Sequence, residues 1–186
     1  LWVGGEIHRE MPPMPEGVED GILKGLYKFK TGPKKLKHKA QILGSGPIIN
    51  SALQAQQILA ETYQVSADVW SATNYKALRN EALQCDRWNR LHPGEAQRIP
   101  YVTELLKGEK GPIIAVSDNM KMVPGQISEW LPDGMTILGT DGFGRSDTRK
   151  QLRRFFEVDA ECTVIATLSA LDKTGDIEPA IVSQAI

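Results

Sequence analysis

The chain has 186 residues, of which 41% are hydrophobic and 24% are charged, a balance that is ordinary for a soluble globular domain and excludes global disorder. Its 22 Lys and Arg residues against 23 Asp and Glu residues give a net charge of -1, which argues against a protein that mainly coats nucleic acid or an anionic membrane. No apolar run approaches the roughly 20 residues needed to span a bilayer.

The first 20 residues are predicted to lie outside the main domain. Leu1–Ile7 resembles the last strand of a preceding domain, and the chain lacks both an initial Met and a signal-peptide pattern. Met11–Pro15 contains three prolines, which favour a stiff extended connector. We therefore expect residues 1–20 to be the end of a preceding domain with a Pro-rich linker. Residues 21–186 are then one α/β domain of a longer protein.

Two predicted strands open this domain, with a lysine-rich stretch around their connection. Leu26–Lys30 alternates apolar and lysine side chains, as a half-buried strand does. Lys39–Leu43 follows the break at Thr31–Pro33, and we predict that the two strands pair as an antiparallel hairpin. The stretch from Lys24 to Lys39 holds seven lysines, counting both ends, and no acidic residue. Because the loop lacks arginine and aromatic residues, a solvated loop is favoured over contact with nucleic acid or lipid.

Helices and strands then alternate to the end of the chain. The apolar spacing and the capping residues predict helices over residues 47–63, 75–88, 101–106, 126–131, 148–155 and 160–173, and a last helix from Pro179. Short apolar runs predict strands over residues 67–71, 113–116 and 135–138, the second of them central and buried. This order predicts an α/β fold, with a mostly parallel sheet, one antiparallel edge strand and helices on both faces.

Two patterns suggest chemistry but each lacks an essential residue. Gly44–Gly46 follows a strand, as a dinucleotide-binding turn does, yet Ile49 stands where that fingerprint needs a third small residue. A plain turn is therefore favoured over an anion site. Cys85 and His92 could form a nucleophilic pair only if the fold brought them together. The two cysteines and three histidines of the chain have no metal-ligand spacing, and two free thiols are the favoured interpretation.

The loop Gly139–Asp147 concentrates functional groups at the carboxyl end of a predicted strand, where open α/β sheets place their sites. We predict that Arg145 pairs with Asp141 and that Ser146 or Asp147 caps the following helix. The loop is interpreted as a structural and subunit-contact element without an acid–base catalyst. Its candidate residues are Asp141, Gly142, Gly144, Arg145, Ser146 and Asp147.

Several stretches together carry a resemblance to a known family. They are Met11–Gly17, Leu43–Gly46, Cys85–Pro93, Arg98–Tyr101, Leu138–Asp147 and Phe155–Asp159. With them, nearly the whole chain resembles the C-terminal part of the homodimeric pyruvate dehydrogenases. This family belongs to the transketolase-like thiamine-diphosphate superfamily.

The resemblance implies a role in assembly rather than in catalysis. In the family, thiamine diphosphate and its Mg²⁺ lie between the first two domains, and the diphosphate motif begins with Gly-Asp-Gly, which this chain lacks. The resemblance therefore assigns no catalytic, cofactor-binding or metal-binding residue here. In the full-length parent it implies a cytoplasmic enzyme that decarboxylates pyruvate and passes the acetyl group to a lipoyl arm.

The expected partners follow from the same resemblance. They are the rest of the polypeptide, the second subunit of a homodimer and the dihydrolipoyl acetyltransferase, with neither nucleic acid nor membrane. Two alternatives stay open. One is a free-standing α/β module that binds a partner or an anion, and the other is the same domain of a different transketolase-type enzyme.

Overall fold

A computed structural model describes residues Glu10–Ile186, so the strand predicted at Leu1–Ile7 lies outside the described residues. Within the described range, the strands are β1 (Leu26–Lys30), β2 (His38–Gly44), β3 (Val65–Ala72), β4 (Ile113–Val116) and β5 (Thr136–Leu138). The α-helices are α1 (Glu19–Lys24), α2 (Ile49–Tyr63), α3 (Tyr75–Leu91), α4 (Tyr101–Leu106), α5 (Met122–Gly125), α6 (Arg149–Phe155), α7 (Ala160–Lys173) and α8 (Pro179–Ala185). Short 3₁₀ helices cover Gly46–Ile48 and Ser128–Trp130.

The strands form one sheet in the order β1-β3-β2-β4-β5. β1 is antiparallel to β3, and the other three neighbouring pairs are parallel. Because parallel neighbours need crossover connections, the chain between them runs through helices that cover the sheet. The predicted fold class, a mostly parallel α/β sheet with one antiparallel edge strand, is confirmed.

The predicted pairing of the first two strands is wrong. Leu26 of β1 pairs with Ala72 of β3, whereas β2 lies on the far side of β3 and runs parallel to it. The connection between β1 and β2 passes over the start of β3, where the N–H of Gly32 donates to Asp68 Oδ1 over 2.8 Å. Alternation in the sequence identifies a half-buried strand but not its neighbour, and here the neighbour comes later in the chain.

Both faces of the sheet are covered. Ala40 and Ile42 of β2 face a core formed with α2 and α7, while Leu43 faces a second core formed with α3 and α4. β4 lies between β2 and β5, and its last three residues are fully buried, as predicted, although β2 holds the middle position. Among the helices described, none combines the length and the hydropathy needed to cross a bilayer.

Most predicted elements are present, with three differences. The helix predicted over residues 126–131 is instead the four-residue α5 followed by a 3₁₀ turn. α1 was not predicted, since its six residues are too few to show a helical period. The cap of α6 is the Thr148 hydroxyl, which accepts from Gln151 N, so neither Ser146 nor Asp147 has the predicted capping role.

A charged cluster joins the elements at the amino ends of the parallel strands. Lys28 Nζ of β1 lies 2.7 Å from Asp68 Oδ2 of β3 and 2.7 Å from Glu109 Oε1 of the segment before β4. The ammonium also lies 4.7 Å from the centroid of the Trp70 ring. Desolvation lowers the pKa of Lys28, but the hydrogen bonds and charges of the two carboxylates outweigh it, so this pKa is raised.

Replacing Lys28 with Met should lower the free energy of unfolding by about 1–2 kcal/mol, because two part-buried carboxylates lose their shared cation. Lys30→Met is the matched control, since Lys30 lies on the same strand and its side chain is exposed and has no ion-pair partner among the described residues. Urea denaturation at pH 7 measures both. If the two substitutions lowered the free energy of unfolding equally, the Lys28 ion pairs would not stabilise the fold as described.

The pH dependence of this difference has a defined sign. The folded-state pKa of Lys28 is raised above its unfolded value of 10.5. The stabilisation is therefore fully present below the unfolded pKa and is lost as the pH rises through the folded one. The difference in the free energy of unfolding between the parent and Lys28→Met should therefore narrow as the pH rises into the strongly alkaline range.

Candidate functional site

The carboxyl ends of β2 and β4 meet where the sheet reverses its winding direction. From β2 the chain crosses through α2 to β3 on one side, and it then returns to the other side of β2 to form β4. Open α/β sheets place ligands at such a switch point. The loops there are Gly44–Gly46 after β2 and Ser117–Lys121 after β4, with Gly139–Asp147 next to them after β5.

Packed hydroxyls occupy the switch point itself. Ser45 Oγ donates to Ser117 Oγ over 2.8 Å, and both serines are buried. Ser117 Oγ also accepts from the backbone N–H of Asn119 over 3.1 Å. A Cβ on Gly44 would lie 3.2 Å from Ile49 Cα, so the turn into α2 is closely packed. This geometry is that of a structural turn, which agrees with the interpretation favoured from the sequence.

The base of the loop after β5 is fixed to the loop after β4. Thr140 N donates to Asn119 O over 3.0 Å, and the Thr140 hydroxyl donates to Asp118 O over 2.6 Å. Asp141 Oδ1 accepts from the backbone N–H of Lys121 over 2.9 Å. Gly139 must be small, since a Cβ there would lie 2.8 Å from Asn119 O. The carboxylate of Asp141 therefore holds two loops together.

The predicted Asp141–Arg145 ion pair is wrong. The Arg145 guanidinium instead lies 3.9 Å from the centroid of the Phe155 ring on α6. An arginine can stack on an aromatic face as readily as it binds a carboxylate, and the loop brings Phe155 within its reach. Gly142 has a φ of 90°, the left-handed turn that glycine permits. Arg145 thus attaches the loop tip to α6 rather than to the loop base.

An apolar rim surrounds this loop, and sequence reasoning did not find it. Phe143 at the tip is 94% exposed, and Met120, Met122 and Phe155 are at least half exposed. We call these four residues the carboxyl-edge rim. Phe143 could have been identified from the sequence, because an aromatic residue between two glycines has no neighbours to bury it. The two methionines follow β4, and only the fold places them beside the loop.

The stretch around Cys85 fastens α3 to its neighbours. Cys85 Sγ donates to Glu81 Oε1 over 3.2 Å, and Glu81 Oε2 accepts from Tyr101 N at the start of α4. Trp130 Nε1 donates to Asp86 Oδ2 over 2.8 Å. Through these hydrogen bonds, Cys85 and Asp86 have a structural role, which is to hold α3 against the segments that contain Tyr101 and Trp130.

His92 does not reach Cys85 as a catalytic partner. The His92 ring stacks on Trp88 with centroids 4.4 Å apart, and its Nδ1 lies 2.8 Å from Trp88 O. The Arg98 guanidinium lies 4.1 Å from the centroid of the same indole ring. The proposed Cys–His nucleophilic pair is therefore absent from the described residues, and this segment is a packed helix end.

Both thiols are held in their protonated form. Burial, together with the hydrogen bond and charge of the Glu81 carboxylate, raises the pKa of Cys85 to about 11. Burial, together with Asp159, likewise raises the pKa of Cys162 to about 11. Because the thiolate is the nucleophile, neither cysteine is activated for covalent catalysis at neutral pH.

Comparison with known proteins identifies the family of domains to which this chain belongs. Residues 25–159 match the family model described as the transketolase-like TK C-terminal domain. Transketolases from Pichia stipitis and Leishmania mexicana share the fold, with TM-scores of 0.60 and 0.56 over 90% and 87% of this chain. Their identities are 16% and 17%, and this chain covers 21% and 20% of them. The chain belongs to the transketolase-like C-terminal domain family.

Curated sequences give closer relatives. The pyruvate dehydrogenase E1 component of Pseudomonas aeruginosa is 48% identical over 176 residues, 94% of this chain and 20% of that protein. The Escherichia coli K12 protein of the same name is 45% identical over 177 residues, 95% of this chain and 20% of that protein. The resemblance noted from the sequence is confirmed, and the chain spans about a fifth of these relatives.

Alkylation by iodoacetamide tests the state of the thiols. At pH 7.5 we expect both cysteines in the native chain to react about 100-fold or more slowly than in urea, because a pKa near 11 leaves almost no thiolate. Mass spectrometry of tryptic peptides separates Cys85 from Cys162. Fast alkylation of Cys85 in the native chain at this pH would contradict its burial and its hydrogen bond to Glu81.

Proposed function

We propose that this chain is the C-terminal structural and assembly domain of a pyruvate dehydrogenase E1 enzyme. In the full-length protein, thiamine diphosphate would supply the chemistry that decarboxylates pyruvate before the acetyl group passes to a lipoyl arm. The observation that carries this proposal is identity of 48% across 94% of the chain with a protein of that name. The match extends over 176 residues rather than over a single motif.

The described residues do not fit the metal–diphosphate group of that cofactor. Such a group needs several oxygen ligands on one divalent ion. Over residues 10–186, no three His, Cys, Asp or Glu side chains are grouped to hold a metal ion. Asp141 already accepts from Lys121 N. We therefore assign no catalytic step to these residues, and we propose that the cofactor and Mg²⁺ bind elsewhere in the polypeptide.

The carboxyl-edge rim supports the assembly role. Four large apolar side chains are exposed beside a loop whose base is fixed by Thr140 and Asp141. An exposed apolar surface on an ordered scaffold is typical of an interaction site. We propose that the rim packs against another part of the enzyme, either the preceding domains or the second subunit of a homodimer. The acetyltransferase as a further partner, and a cytoplasmic location, belong to the same proposal.

Arg145→Ala in the full-length enzyme tests this role. Loss of the stack on Phe155 should release the loop tip, so we expect the dimer dissociation constant to rise about tenfold, about 1.4 kcal/mol. Turnover per dimer should be kept. Sedimentation velocity and steady-state kinetics measure the two quantities on one sample.

Arg79→Ala is the matched control, since Arg79 is exposed on α3 and has no ion-pair partner among the described residues. It should leave both quantities unchanged. An intact Arg145→Ala dimer whose turnover falls about a thousandfold, about 4 kcal/mol of barrier, would show that the loop is catalytic and that the proposal is wrong.

A further inference from the structure

A cluster of lysines lies at the opposite edge of the sheet, at the amino ends of the parallel strands. β1 ends there, β2 and β3 begin there, and the segment before β4 crosses beside them. We call it the amino-edge lysine cluster. Its members are Lys30, Lys34, Lys35, Lys37, Lys39 and Lys110.

The fold brings Lys110 to lysines that are far from it in sequence. Gln41 Nε2 donates to Lys110 O over 2.9 Å, and Gln41 N donates to Pro112 O over 2.9 Å. Gly111 packs so tightly against Lys39 O that no side chain would fit there. Lys110 is thereby placed beside Lys34 and Lys39, with which it lines one cleft.

None of these six lysines has a carboxylate partner among the described residues. Asp68 and Glu109, the acidic residues of the cleft, both bind Lys28, and Asp68 also accepts from Gly32 N. Lys39 Nζ makes one long contact, 3.5 Å to the backbone oxygen of Lys34. In a chain whose net charge is -1, positive charge is thus concentrated at one edge.

The shape of this edge indicates the kind of partner. The cleft has a volume of about 260 Å³, room for one or two side chains, and its wall includes the backbone of Gly32 and Gly108. No large hydrophobic side chain between Lys24 and Arg79 is exposed, and Phe29 and Leu36 beside the lysines are half-buried. The surface therefore offers no fully exposed aromatic platform for bases and no exposed apolar anchor for a bilayer. The three lysines of the cleft outnumber its two carboxylates, which already pair with Lys28, and a cleft with an excess of one charge focuses the field on a small ligand group.

We propose that the amino-edge lysine cluster binds an acidic segment of a partner protein. One Asp or Glu side chain of that segment enters the cleft between Lys34, Lys39 and Lys110, and neighbouring carboxylates pair with the remaining lysines of the cluster. Single exposed ion pairs contribute little, so binding depends on several of them acting together. This site is independent of the carboxyl-edge rim, which lies at the other end of the strands.

Fluorescence anisotropy of a fluorescein-labelled octaglutamate peptide with the full-length protein tests the proposal. Binding should be saturable at low ionic strength and should weaken steeply with added salt. The triple variant Lys34→Gln, Lys39→Gln, Lys110→Gln should weaken it about 10- to 100-fold. Because Lys34 and Lys110 are exposed, Lys39 is half-buried and none of the three has a carboxylate partner among the described residues, the variant should melt within a few degrees of the parent, which circular dichroism checks.

The matched control is the triple variant Lys76→Gln, Lys150→Gln, Lys173→Gln, which removes the same charge from exposed positions elsewhere. It should bind octaglutamate like the parent. Equal loss in the two triple variants would show attraction by net charge alone and would overturn the proposal. So would an absence of saturable binding, or competition by duplex DNA or phosphatidylserine vesicles at lower concentration than by unlabelled octaglutamate.

Discussion

The parallel pairing of β2 with both β3 and β4 is the constraint on which the remaining architecture depends. A strand between two parallel neighbours needs crossovers on each side, and these crossovers are the helices that bury Ile42 on one face and Leu43 on the other. The same pairing aligns the strand ends. It therefore gathers the loops after β2, β4 and β5 at one edge, and the lysine-rich connection with the segment before β4 at the opposite edge.

The two edges use charge in different ways. At the carboxyl edge, some polar groups join loops, as Asp141 accepts from Lys121 N, and four large apolar side chains are exposed beside them. At the amino edge, one cation, Lys28, pairs with both nearby carboxylates, and the six lysines of the amino-edge cluster have no carboxylate partner among the described residues. An apolar rim suits a permanent contact within an enzyme, whereas paired surface charges give weaker, salt-sensitive association. The domain thus presents two surfaces of different chemistry on one sheet.

Local patterns in the sequence were sufficient for the fold class but not for contacts between distant residues. Apolar period and capping residues predicted most helices, because these signals lie within a few residues of each other. The cap of α7, for example, is Asp159, which directly precedes the helix. The partner of β1 was missed because β3 lies some 40 residues later in the chain. The contact of Arg145 with Phe155, rather than with Asp141, could not be predicted for a similar reason, since it depends on where α6 packs. Alternation likewise gave no sign that Lys28 binds two carboxylates, because these come from β3 and from the segment before β4.

Amide hydrogen exchange at the loop tip tests most directly whether this domain acts through contact. The backbone of Gly142, Phe143 and Gly144 is exposed in the chain described here, and none of these N–H groups donates to another described backbone or side-chain group. If the carboxyl-edge rim packs against another part of the full-length protein, these amides should exchange about tenfold or more slowly there than in the separate chain. Exchange at the same rate in both proteins would show that the rim remains in solvent, and it would contradict the assembly role.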